Sequence, residues 1–292
     1  MRPFSRRRRY SQRPARPWLQ VLFNRFTMKY WIIGGALLIA LIAGLIIYQN
    51  SRRVTPQDTA FYQKQQIVVG MAAGNAKFSY TDENGELAGF ERDVADAVLS
   101  ALYPDVPRVY VAIDAQQASY LLREGEIDIA FGMFTRDVIK TQGLAVSNGY
   151  FRDGVYAFVA PGGDITSLSG IQGKKVSIMT SEISKSSVTD ALAEEKFEVD
   201  VYSCSAYPDG IQEVLSGNSA ALIVSRYKML PYEGQLSMAE PAITSTNYCA
   251  IAWSGNRDVI TVFNEQLQKM RNDGSLDALM AKWGITEYEP ET

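Results

Sequence analysis

Residues 82–102 read DENGELAGFERDVADAVLSAL, a turn that runs into an amphipathic helix. Asp82-Glu-Asn-Gly85 has turn chemistry, with Gly85 free to take the positive φ such a turn requires. From Phe90 onward apolar side chains fall at 90, 94, 98, 101 and 102, the spacing of a helix that buries one face. Pro104 and Pro107 stop it. Upstream, Ile67-Val-Val-Gly70 reads as a short apolar strand and Phe78-Ser-Tyr80 as an extended entry to the turn. Downstream, the pattern predicts a strand over 109–113, a helix over 115–123 ending at Gly125, and a strand over 127–131. Strand, helix and strand in this order define an α/β chain.

The same grammar continues. A strand is predicted at 155–159, followed by the break Pro161-Gly-Gly163. A second series then begins: strand 175–179, helix 186–195, strand 199–202, helix 210–215 and strand 221–224. Residues 248–253 give one more strand, 259–271 a long amphipathic helix stopped by Asn272-Asp-Gly274, and 276–283 a last helix. This alternation predicts right-handed βαβ units and mainly parallel sheets. Leu122-Arg-Glu-Gly-Glu-Ile-Asp128 and Val214-Leu-Ser-Gly217 each end a helix just before an apolar strand, so the unit is used twice. Two similar lobes, with chain crossings near 155–160 and 247–253, would enclose a cleft suited to a ligand.

Ahead of this region lies Trp31–Tyr48, WIIGGALLIALIAGLIIY, eighteen residues without a charge. That length approaches what a hydrocarbon core of ~30 Å requires. Residues 1–29 carry nine basic side chains and no acidic one, leaving twenty basic against thirty-two acidic residues, a net charge of −12, beyond them. The positive-inside bias then keeps the tail cytoplasmic and exports the acidic remainder. Nucleic-acid binding is the competing use of such arginines, and contact with anionic lipid headgroups a further one. Beside an apolar run the topology signal is preferred, and no nucleic-acid partner is expected. A cleavable signal peptide fits less well: the run exceeds the roughly 7–15 apolar residues of that class, and no clear small-x-small site follows. The expected organisation is a basic tail 1–29, a single-pass membrane anchor 30–49, a polar stalk 50–64 and an extracytoplasmic folded region, with 289–292 as a short tail. Cys204 and Cys249 are the only cysteines; export permits a disulfide, and two small buried side chains is the plainer reading. There is no histidine, which excludes a Ser-His or Cys-His catalytic pair and removes the commonest metal ligand.

Several stretches together resemble the bacterial extracellular solute-binding proteins of family 3, the amino-acid-binding components of ABC importers. They are Ile67–Gly70, Asp82–Asp93, Leu122–Asp128, Ser147-Asn-Gly-Tyr150, Leu168–Lys175 and Met270-Arg-Asn-Asp-Gly274-Ser-Leu276 through Lys282-Trp283, in order over nearly all of 65–284. The resemblance implies a two-lobed periplasmic-binding protein type II fold. Lobe 1 would be 65–154 with 252–288, and lobe 2 would be 155–251. It also implies a pocket with aromatic walls, an Arg on the ligand α-carboxylate and an Asp on its α-ammonium. A zwitterion that loses solvation needs an opposite charge at each end.

Carried over position by position, the aromatic walls fall at Asn75 and Ala115, with Phe78 kept as in the family. The carboxylate Arg falls at Lys140, with Arg136 nearby as a substitute, and a polar pocket residue falls at Thr135. The Gly-Thr segment becomes Ser181-Glu182, and the ammonium-binding Asp becomes Ser225. Lysine keeps the charge but not the bidentate fork, and serine cannot neutralise an ammonium. The candidate substrate-binding set is therefore Asn75, Phe78, Thr135, Lys140, Ser181, Glu182 and Ser225, with a pocket altered from that of an ordinary α-amino acid. The expected function is a membrane-anchored solute-binding protein, not an enzyme, needing no cofactor or metal. It would take a small polar, amino-acid-like solute and meet an ABC permease and its ATPase. The alternative is a sensory or protein-interaction module with a degenerate cleft. A dehydratase-like enzyme using Glu182 stands third, since a lone carboxylate lacks a placed partner.

Overall fold

The computed structural model describes residues 25–50, 53–139, 143–180 and 183–290, and divides the chain near residue 53 into two units. The first unit holds helix α1, Arg25–Asn50. Its side chains are described from residue 30 to 45, and all of them are exposed, Trp31, Leu37 and Ile39 among them. Among the described residues no helix is long and apolar enough to cross a membrane. The stretch with described side chains is shorter than the apolar run 31–48.

The second unit is built on one eight-stranded mixed sheet. Its strands are β1 (Ile67–Ala72), β4 (Arg108–Ile113), β5 (Ile129–Thr135), β6 (Leu144–Val159), β7 (Lys175–Met179), β8 (Asp200–Cys204), β9 (Leu222–Ser225) and β10 (Ser237–Trp253). The strands β2 (Tyr80–Thr81) and β3 (Leu87–Ala88) pair separately as a small hairpin around the 82–85 turn, where Gly85 has φ +83°. The sheet order β4-β1-β5-β10-β6-β9-β7-β8 contains two parallel triplets, 4-1-5 and 8-7-9, each with its first strand in the middle. Asp128 N donates to Val68 O in the first triplet and Ala220 N to Lys175 O in the second, both at 2.8 Å, so the repeat extends to individual backbone bonds. Asp128 adds a side-chain suture in the first triplet, accepting from Val68 N at 2.9 Å and pairing with Lys64.

Between the triplets run β6 and β10, which are antiparallel to each other and to β9 and β5 respectively. The expectation of mainly parallel sheets holds inside each triplet and fails at this junction. There the chain passes from one half to the other and back, so the two passing strands must oppose each other. The sequence pattern predicts only the last stretch of each as strand, 155–159 and 248–253. Residues 144–153 and 237–247 mix polar side chains, Gly149 and Pro241 into the extended backbone and hide its period.

Helices α3 (Ala118–Glu124) and α4 (Arg136–Ile139) are short; α2 is Phe90–Leu102, and its apolar face enters a core shared with α7 (Arg257–Asn272) and α8 (Ser275–Trp283). Its start depends on Gly89, at φ +126°, where an added Cβ would lie 2.2 Å from the carbonyl oxygen of Phe78. No L side chain fits that approach. In the other half, α5 (Lys185–Glu194) and α6 (Tyr207–Leu215) follow β7 and β8. The α5 side chains Val188 and Leu192 join a core with Val176, Ile178 and Ile223, while α6 packs through Ile211 and Val214 against Met179 and Leu222.

One segment departs from the expected organisation. Residues 50–64, expected as a polar stalk, are folded onto the body from Val54: Phe61 is fully buried, and the Thr59 hydroxyl meets that of Tyr103 at 2.9 Å. One buried aromatic among polar neighbours leaves no periodic trace in sequence. At the other end, residues 284–288 return from α8 across β6. Glu287 accepts from Arg152 N and from Arg271, and Tyr288 N donates to Arg152 O at 2.9 Å.

Candidate functional site

A cavity of about 560 Å³ opens where the strands of both triplets end. Its first wall comes from the carboxyl ends of β4 and β5: Asp114, Ala115, Gln116, Ser119 and Gly132–Thr135. Its second wall comes from the carboxyl ends of β7 and β8 and from the turn after β9: Met179, Ser205–Pro208, Lys228 and Tyr232. A crevice outside the carboxyl ends of strands is where an open α/β sheet leaves backbone groups and loops free to meet a ligand.

Each wall has a distinct chemistry. On the second, the rings of Tyr207 and Tyr232 stack at 5.2 Å and 19°. Lys228 is almost buried, with its Nζ 5.8 Å from the centre of the Tyr248 ring. On the first, Met133 sits at φ +52° in the middle of β5, a left-handed conformation that costs on the order of 1–3 kcal/mol for such a side chain. What holds it is Glu91, wholly buried behind the wall. Glu91 Oε1 accepts from Met133 N at 2.6 Å and from the Tyr150 hydroxyl, while Oε2 has no hydrogen-bond partner. Burial drives the Glu91 carboxyl above its ordinary range, opposed by the bonds from Tyr150 and Met133 and by the charge of Lys228.

The residues expected from sequence separate into three groups. Thr135 lines the cavity and is 2 % exposed, and Ala115 lines it as well. Asn75, Phe78 and Ser225 do not line it. The backbone of Asn75 makes a tight turn with Phe78 and Ser79. Phe78 is fully buried at the centre of an aromatic cluster, 5.1–5.7 Å from Phe90, Phe151, Tyr227 and Tyr248. Ser225 is the buried last residue of β9, opposite Val155 on β6. Lys140, Ser181 and Glu182 lie outside the described residues. Arg136, the proposed substitute anchor, donates to Ser147 O at 2.6 Å and borders a separate polar recess with Asp137, Asn148 and Asn247.

Sequence reasoning missed Lys228, Tyr207, Tyr232 and Met179. Their signal was present but positional: each follows the carboxyl end of a strand or closes it. Cys204 and Cys249 are both free thiols, and burial pushes the Cys249 thiol up to about 11.

Fold and cavity together define a two-lobed α/β binding protein. Residues 67–286 match the bacterial extracellular solute-binding proteins, family 3, and the chain belongs to that family. The L-cystine-binding protein TcyJ of Escherichia coli is 24% identical over 255 residues, 85% of this chain and 93% of that protein. The glutamate/aspartate import solute-binding protein of the same organism is 25% identical over 163 residues, and there the alignment spans only 54% of each chain. Among solved structures, an ancestral arginine-binding protein bound to arginine superposes with a TM-score of 0.58 at 26% identity, covering 75% of this chain and 98% of that one. A substrate-binding protein of an ABC uptake transporter from Streptococcus pneumoniae, with bound histidine, has a TM-score of 0.58 at 16% identity over 76% and 94%; it shares the fold.

Proposed function

We propose that this chain is a membrane-anchored, extracytoplasmic solute-binding protein. It captures a small polar, amino-acid-like solute between its lobes and presents it to the permease and ATPase of an ABC importer. The observation that carries the reading is the cavity at the strand ends of both halves, in a chain of this family. The lobes are taken as 65–154 with 252–288 and as 155–251, hinged on β6 and β10. The anchor reading rests on the uncharged run 31–48, the arginine-rich tail before it and the outward-facing apolar side chains of α1. No catalytic step is assigned.

A second reading, an interaction module at the membrane with a degenerate cleft, draws on two observations. Arg136 is committed to a backbone carbonyl, and β9 ends in a serine rather than an acid. Purification from membranes separates the two readings. Import predicts full-length protein in the membrane fraction together with a permease and an ATPase, and a thermal shift with an amino acid or a close derivative. Binding at 100-fold over Kd stabilises by ~2.7 kcal/mol, which is easily read. A shortened soluble product would remove the anchor, and an unrelated membrane complex without any solute response would favour the module.

A further inference from the structure

We infer that the chain holds its own lobes together, independently of any solute, through a clasp between Asp137 and the first turn of α5. The inference rests on the two-lobe reading above and not on what the cavity takes. Ser187 Oγ donates to Asp137 Oδ2 at 2.7 Å, and both side chains are half-buried. Asp137 belongs to lobe 1, on the short helix α4 whose Ile139 lines the cavity. Ser187 belongs to lobe 2, on α5, which follows β7, and Met179 at the end of β7 lines the facing wall. The bond therefore passes from lobe to lobe beside the cavity, between residues fifty positions apart in sequence.

Both ends are fixed to packed structure. On the lobe 2 side, Val188 and Leu192 anchor α5 in the core. Ser184 caps the helix: its Oγ accepts from Ser187 N at 3.1 Å and lies 2.7 Å from Ser187 Oγ. With the Ser187 proton given to Asp137, Ser184 donates to Ser187, so the hydroxyls form a chain that ends on the carboxylate. A carboxylate at the end of such a chain, by the positive end of a helix, is held better than a neutral acceptor. On the lobe 1 side, Ile139 is buried in a core with Phe134 and Leu144, and Arg136 bonds Ser147 O at 2.6 Å. Asp137 also borders the polar recess beside Asn148, Gly149 and Ser245–Asn247, on the strands that cross between the lobes. Breaking a half-buried bond beside open space returns both groups to water at small cost, which suits a contact that must open. Lobes joined by two strands move about their hinge unless a contact holds them, and a solute shifts that balance only by its own preference for the closed form. A clasp supplies part of closure in advance.

The test is double electron–electron resonance on the detergent-solubilised full chain, dialysed free of small solutes. Nitroxides are placed at Tyr120→Cys on α3 and Tyr202→Cys on β8, both exposed positions. Cys204→Ser removes the half-buried native thiol, and Cys249 is wholly buried. The chain with Asp137 and Ser187 intact is expected to give one narrow distance distribution. Asp137→Ala and Ser187→Ala should each extend it to longer distances, and the double variant should open no further than either single one. Ser187→Thr, which keeps the hydroxyl, should restore the narrow distribution, with cooperative melting of every variant as the control for folding. Two results would overturn the clasp: a broad distribution with both residues intact, or alanine variants that superimpose on that chain. Narrow distributions lost in the alanine variants, in a protein that answers to no solute, would uphold the clasp while import fails. Unchanged distributions in a protein that binds an amino acid would do the reverse.

Discussion

The junction between the lobes and the cavity beside it share the turn after β9, yet they are finished differently. At the junction, each polar group buried on β6 is used by the fold. Asp153 accepts from Tyr227 N at 2.9 Å and from the Tyr248 hydroxyl at 2.6 Å. The Tyr227 hydroxyl accepts from Thr286 N at 2.9 Å, and Ser147 Oγ accepts from Ala250 N. The passing strands, the turn after β9 and the returning C-terminal segment are thereby tied at one place. The cavity, at the carboxyl ends of β4, β5, β7 and β8, encloses open volume between a strained strand and an aromatic pair. A fold commits its polar side chains where the backbone needs partners; volume kept open between two walls calls for an occupant.

The largest effect that sharpens this contrast is Phe78→Ala. Phe78 lies at the centre of the aromatic cluster, so its loss should cost ~3–5 kcal/mol in chemical denaturation. Tyr207→Ala, half-buried on the cavity wall, should cost under ~1.5 kcal/mol while weakening solute binding. If the two variants exchanged these behaviours, core and wall would have been misassigned.

Next in size is the pH dependence of the junction. Burial raises the Asp153 carboxyl from 3.8 to about 6. The folded state therefore holds a proton that the unfolded chain releases. The stability this group contributes is complete below pH ~3.8 and lost as pH rises through ~6. Relative to Asp153→Asn, the wild type should gain up to ~3 kcal/mol between pH 7.5 and 4. Denaturation curves of both proteins over that range measure it; parallel pH profiles would contradict the burial of a titrating carboxylate. The smallest effect is at the returning segment. Arg271 grips Glu287 through both guanidinium nitrogens while both side chains remain partly exposed. A double-mutant cycle with Arg271→Met and Glu287→Gln should give a coupling of ~0.5–1 kcal/mol.

Local elements were legible in the sequence because their signals are local. The 90, 94, 98 spacing and the proline stop predicted α2 at its observed bounds, and Lys175–Met179 read as a strand and is one. Long-range roles were not. Phe78 reads equally as pocket wall or core until Phe151, Tyr227 and Tyr248, far along the chain, are brought around it. Phe61 reads as part of a stalk for the same reason: Tyr103, which it packs against, is forty-two residues away and gives no trace nearby. Of the expected contacts, Thr135 lies in the cavity as the last residue of β5; the predicted strand stops at residue 131, and the family resemblance, not the strand pattern, placed Thr135. Lys228 escaped notice because only tertiary folding turns the segment after β9 toward the facing wall. Met133 shows the limit most plainly, since nothing in its identity announces a left-handed backbone.

The most direct test of the central claim is hydrogen–deuterium exchange on the full chain, with and without whichever solute gives the largest thermal shift. Bound solute should slow exchange in the segments of both walls, 114–119 and 132–135 on one side and 205–208 and 228–232 on the other, by bridging them. Slowing confined to one wall, or found only at a distance from the cavity, would contradict capture between the lobes.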